Sequence, residues 1–143
     1  MRNISIETIM TPDPVTVSPQ TNAVEARRLL ENHVIHHLPV VEGGRLVGVV
    51  SSADFLKLHL FDAEMSLVTR TTVDQIMETN ITVIDRHATL RDAAEKLAMG
   101  AFHALPVVDG RGHLVGILTS SDLIGELLDQ LEHSGRFRRH AGS

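Results

Sequence analysis

Two stretches of the chain carry the same order of apolar and polar positions. Residues 36–54 read HHLPVVEGGRLVGVVSSAD, and residues 103–122 read HALPVVDGRGHLVGILTSSD. In each, an apolar LPVV word meets a Gly-containing turn, a second apolar run and a polar S/T-x-x-D ending. Apolar runs joined by so short a turn predict hairpins. The strands fall at 37–41 and 46–50 in the first copy, and at 104–108 and 114–118 in the second. Their apolar positions are nearly continuous, as in strands covered on both faces. Upstream, Ala23, Ala26, Leu29 and Leu30 recur at helical spacing. They predict a helix over 21–32 that Thr21 or Asn22 can cap. Its second-copy equivalent lies at 89–99, and further helices are predicted at 51–60 and 120–131. Short β-rich runs at 14–17 and 81–84 open each copy.

The match extends beyond the hairpins. Ile9-Met10 answers Ile76-Met77, Thr16-Val17 answers Thr82-Val83, and Ala26 and Leu30 answer Ala93 and Leu97. A long repeat that occurs only twice predicts a pseudo-two-fold pair, since a solenoid needs about three or more units. The fold class is α+β, with two pseudo-symmetric βαββα repeats packed through their sheets. Each half alone would bury too little surface, so the halves are expected to share one core. The expected boundaries are 6–60 for the first repeat, 61–72 for a linker, 73–131 for the second repeat and 132–143 for a flexible tail.

Composition narrows the function. The 143 residues carry a formal charge of −5, and aromatic residues make up only 3%. Nucleic-acid binding draws on many cationic contacts and on stacking platforms, so this balance speaks against it. Cysteine is absent, which excludes disulfides, thiolate metal sites and thiol catalysis. No apolar run reaches the roughly 18 residues of a membrane span, and MRNISIETIM lacks the apolar core of a secretory signal. A cytoplasmic protein without membrane association is expected. No Ser-His-acid spacing is present, so the chain is not expected to be an enzyme.

The LPVV strand, the Gly-turn hairpin, the G-h-h-[ST]-x-x-D ending and the Ile9-Met10-Thr11-Pro12 opening together resemble the CBS (cystathionine-β-synthase) domain pair, or Bateman module. The resemblance spans residues 6 to 131. It implies a stand-alone regulatory sensor that binds an adenine nucleotide in two clefts between the repeats. It also implies a homodimer, and a regulated partner protein that the sequence does not identify. A ligand-free scaffold for protein–protein contact is the alternative. No cofactor is required; AMP, ADP or ATP would be a regulatory ligand.

The same resemblance assigns candidate residues. Each S/T-x-x-D segment would place a hydroxyl near a phosphate and an Asp on a ribose diol. These are Ser51 with Asp54, and Thr119 with Asp122. The helix each segment opens offers free N–H groups and a favourable dipole to an anion. The identical pattern also serves as a plain capping box. The adenine wall carries over to Thr11, Val15, Thr16 and Ile35 in one copy, and to Thr79, Ile81, Thr82 and Phe102 in the other. One cleft would join Thr11, Val15, Thr16 and Ile35 with Thr119 and Asp122. The other would join Thr79, Ile81, Thr82 and Phe102 with Ser51 and Asp54. His36 and His103 are equivalent under the repeat and can pair with a phosphate when protonated. His33-x-x-His36-His37 lacks a further ligand at metal spacing, so no metal site is assigned. Neither S/T-x-x-D segment contains Lys or Arg, which favours AMP or ADP over ATP unless Arg45, Arg91 or the cluster Arg136, Arg138 and Arg139 reaches in.

Overall fold

The computed structural model describes residues 4–61, 70–100 and 103–142. In the first repeat, helix α1 (Ala23–His33) begins where the Asn22 side chain accepts from the Val24 N–H at 2.8 Å. This settles the capping choice in favour of Asn22. Strands β2 (His37–Glu42) and β3 (Arg45–Ser51) follow, and Ser52–Phe61 forms helix α2. Gly43 and Gly44, with φ of 59° and 81°, make the two-residue turn between the strands. Consecutive positive φ values suit the twist of a tight hairpin and explain why glycine stands at both positions.

The second repeat runs from β4 (Ile84–Asp85) through α3 (Leu90–Ala98), β5 (Ala104–Val108) and β6 (Leu114–Thr119) to α4 (Ser120–Gly142). Helix α3 opens on a reciprocal capping box between Thr89 and Asp92. The final helix continues to Gly142 rather than ending at Leu131. No proline interrupts residues 132–142, and one interior glycine costs only about 1 kcal/mol.

The opening strands differ from expectation. The run at 14–17 is not a strand: β1 is Thr11–Pro12, pairing antiparallel with β6. The chain then turns at Asp13, whose φ is 44°. Pro12 and Pro14 have no N–H to continue a ladder. Val17 makes only a single parallel bridge to Val40, and the run at 81–84 shrinks to a parallel β4 on β5.

One sheet has the order β1-β6-β5-β4, and β2 with β3 forms the other. The pseudo-symmetry nevertheless extends to these pairings, as single bridges. The Val49↔Glu78 bridge repeats the β1·β6 contact, and Val17↔Val40 repeats β4·β5. The two hairpins meet tip to tip. Leu46 N–H donates to Gly112 O at 3.2 Å, Leu114 N–H donates to Gly44 O at 3.1 Å, and Arg45 donates twice to Arg111 O.

The repeats exchange their opening turns. Ile6, fully buried, belongs to the core of the second repeat with Ile84, Ala93, Leu105 and Leu118. Val73, equally buried, belongs to the first with Ala26, Leu38 and Phe55. Matching backbone bonds lock both turns: Leu90 N–H to Ile4 O at 2.7 Å, and Ala23 N–H to Thr71 O at 2.8 Å. Arg86 adds a 2.9 Å ion pair to Glu7, and this hydrogen bond holds the Glu7 carboxyl below its ordinary pKa.

Candidate functional site: two clefts between the repeats

Both S/T-x-x-D segments sit where a hairpin strand becomes a helix. Ser51 N–H and its hydroxyl donate to Asp54 Oδ2 at 2.7 and 3.2 Å. Thr119 N–H donates to Asp122 Oδ2 at 2.8 Å, and Asp122 N–H donates back to Thr119 Oγ1 at 3.2 Å. The reciprocal capping box is thus present in the second copy, and in the first Asp54 accepts from both donors of Ser51. Among the described residues, the bonds these carboxylates accept fall on one oxygen, Oδ2, of each. The histidine pair has a local reason as well. The carbonyls of His36 and His103 accept from Ser52 N–H and Ser120 N–H, at 3.0 and 2.9 Å, at the start of α2 and α4. Each histidine backbone thus stands beside a helix N-terminus.

A cavity of about 640 Å³ opens between the repeats. Thr11, Val15, Ile35 and His36 line it from the first copy; Thr119, Asp122 and His103 line it from the second. A second cavity, about 350 Å³, joins Ser51 and Asp54 to Ile81, Thr82 and His103. Most of the residues singled out in the sequence therefore converge in pairs of opposite origin. Thr16, between the core-packed Val15 and the buried Val17, is not among the lining residues, and neither is Thr79. Phe102 lies outside the described residues.

Thr79 is displaced for a reason of register. Thr11 lies opposite Ile117 and Pro12 opposite Gly116, whereas Glu78 lies opposite Val49. A methyl group added at Gly48 would meet Met77 Sδ at 2.6 Å, just as one at Gly116 would meet Met10 Sδ at 2.5 Å. Met77 is thus the counterpart of Met10, and Glu78, not Thr79, the counterpart of Thr11. The Ile-Met match in the sequence already carried that register. These two glycines serve the contact between repeats, not ligand approach.

The larger cavity also takes Asp13, His33 and Val34, which motif reasoning passed over as lining groups. His37 and His103 line both cavities and form the wall between them. Half-buried, His37 has its pKa pushed below 6.5, chiefly by desolvation and then by His36 and His103, against the opposing pull of Asp54. Neither cavity has Lys or Arg among its described lining residues. Arg45 is taken up by Arg111 O, and Arg91 pairs with Glu95 along α3. Among the described residues, no three His, Asp or Glu side chains converge as a metal ion requires.

The profile of the CBS domain matches residues 6–60 and 73–129. The chain belongs to the CBS-domain family. A CBS domain-containing protein of Bacillus subtilis, YhcV, is 32% identical over 119 residues, covering 83% of this chain and 82% of that protein. CBSX2 in complex with AMP superimposes with a TM-score of 0.77 at 32% identity, covering 88% of this chain and 97% of that one. The CBS domain pair of protein MJ0100, in complex with 5′-methylthioadenosine and S-adenosyl-L-methionine, gives a TM-score of 0.76 at 29% identity, covering 90% and 98%. Other relatives are much longer. The chain matches 23% of a homoserine O-acetyltransferase from Methanocorpusculum labreanum at 36% identity, and 22% of an inosine-5′-monophosphate dehydrogenase from Thermoplasma acidophilum at 33% identity. No helix among the described residues is long and apolar enough to cross a membrane.

Proposed function

We propose that this CBS pair is a non-catalytic regulatory module that binds an adenine nucleotide between its repeats and acts in the cytoplasm. The supporting observation is the convergence of Thr11, Val15 and Ile35 with Thr119 and Asp122, from opposite repeats, around one cavity of about 640 Å³. That volume lies within the range of small-molecule sites, roughly 300–1,000 Å³. Val15 and Ile35 give an apolar bed for a base, the Asp122 carboxylate suits a ribose diol, and the start of α4 suits a phosphate. The CBSX2 complex with AMP favours the same class of ligand. AMP or ADP is preferred to ATP, because no Lys or Arg is among the described lining residues of the cleft, where extra phosphates would need full cations. Binding acts by favouring one arrangement of the pair over another, in proportion to the difference in affinity.

The output surface is the apolar stripe of α4. Ile124, Leu127, Leu128 and Leu131 are all well exposed, at 56, 46, 58 and 61%. A second copy of the chain is the proposed occupant, giving a homodimer through which ligand occupancy is reported to a regulated protein. A scaffold that uses this face and ignores nucleotides is the second reading.

Calorimetric titration with AMP, ADP and ATP, without magnesium, separates the two. The expected order of affinity is AMP or ADP above ATP, with binding reduced at least about tenfold by Asp122→Ala, the equivalent of one lost charge-assisted hydrogen bond. Unchanged AMP affinity in both Asp122→Ala and Asp54→Ala would refute the ribose assignment. A panel with no heat and no thermal shift would favour the scaffold.

A further inference from the structure

The clefts are related by symmetry but not by chemistry. Resting on the nucleotide reading above, we infer that only the Thr11 cleft accepts a phosphorylated ligand. The Glu78 cleft takes an adenosine compound without phosphate, its 5′ group neutral or cationic.

Glu78 occupies in one cleft the place that Thr11 holds in the other. Its backbone is fixed to Val49 by two reciprocal bonds, at 2.9 and 3.0 Å. Val49 stands two residues before Ser51, the last strand residue before α2, so the Glu78 backbone lies about 7 Å along the strand from that residue. A phosphate seated there would meet Glu78 and Asp54 together, with no Lys or Arg among the described lining residues.

The larger cleft also contains a second carboxylate, Asp13, but it is placed differently. Asp13 N–H donates to Val115 O at 3.4 Å. Val115 is four residues before Thr119, the last strand residue before α4, and so about 13 Å along β6 from it. The position nearest that helix end carries the Thr11 hydroxyl, a donor. His33 and His36 face this cleft alone, in addition to the shared His37 and His103. His33 Nδ1–H donates to Leu29 O at 3.0 Å, so its Nε2 can donate to a phosphate only when the ring is an imidazolium. The two sites therefore differ where a phosphate would lie: hydroxyl and imidazole in one, carboxylate in the other.

Stoichiometry on the full chain tests this. Wild type should bind one AMP per chain, lost in Asp122→Ala and kept in Asp54→Ala, while adenosine binds at two sites. Glu78→Thr should gain a second AMP site, which Asp54→Ala then removes. Glu78→Gln preserves shape while deleting charge, and should strengthen AMP in that cleft about tenfold or more, as expected for one nearby charge in partly aqueous surroundings. Two AMP sites of equal affinity in wild type would overturn this inference and leave the nucleotide reading standing. So would a Glu78→Thr protein that folds, still binds adenosine twice and takes only one AMP. Failure of AMP and adenosine alike to bind wild type would overturn both.

Discussion

Gly116 abuts Met10 across the boundary between repeats: a methyl group on Gly116 would fall 2.5 Å from Met10 Sδ and 2.9 Å from the Thr11 carbonyl oxygen. The sulfur can swing away, but the carbonyl belongs to β1, which is paired to this very strand. Gly116→Ala should therefore destabilise the fold by about 1–3 kcal/mol, the range for overpacked interiors. Gly48→Ala meets Met77 Sδ at 2.6 Å and the Glu78 carbonyl at 3.0 Å, a slightly looser fit, and should be the milder of the two. Urea midpoints of both variants check this; a Gly116→Ala protein as stable as wild type would contradict it.

Ile6 should behave as a core residue of the second repeat. Truncation to Ala should cost about 2–4 kcal/mol, as for other fully buried aliphatic side chains. Amide exchange should then accelerate first in α3 and β5, which pack around it, more than in β2. Protection lost first from β2 would place Ile6 in the wrong core.

Val34 stands in the left-handed region, at φ 51° and ψ 49°, and is 83% exposed. A β-branched residue is strained there, by roughly 1–2 kcal/mol relative to glycine. Glycine also has more freedom to lose on folding, so Val34→Gly should stabilise by about 0.5–1 kcal/mol net. Because Val34 lines the larger cleft, the same change should weaken nucleotide binding. A lower melting temperature would show that the strain is absent.

Protonation of His37 opposes folding. Its native pKa lies below 6.5, so the native state binds fewer protons than the unfolded chain in the interval between the two values. Stability contributed by this group is complete above about 6.5 and declines as the pH falls through that interval to the native pKa. Denaturation profiles of wild type and His37→Gln should diverge there, the variant being flatter. Parallel profiles would assign the pH response to other groups.

Much of this structure was legible in the chain because local chemistry and tertiary placement agree. The Gly43-Gly44 turn, the Asn22 cap and the LPVV strands all form where periodicity and turn residues put them. The opening segments were not legible. Ile6 and Val73 carry no periodic signal, and their place is set by a core in the opposite repeat. The β-rich word at 14–17 was overruled by proline, by the turn at Asp13 and by pairing limited to one bridge, and the word at 81–84 keeps only the two-pair ladder of Ile84 and Asp85. In the candidate site, the pairing of each S/T-x-x-D motif with the opposite copy came from the family resemblance, not from the repeat itself. Glu78 was missed because a Thr stood one position away and offered the more familiar side chain.

The crossed-over opening turns have a consequence for how such a module is inherited. A fragment cut at the sequence repeat would leave its own hydrophobic centre missing an isoleucine or a valine, and would carry a greasy turn with nowhere to go. Half of this protein is therefore a poor unit for evolution or for the laboratory to transplant. The working part is the interlocked whole, and loosening either turn should be felt in both clefts at once.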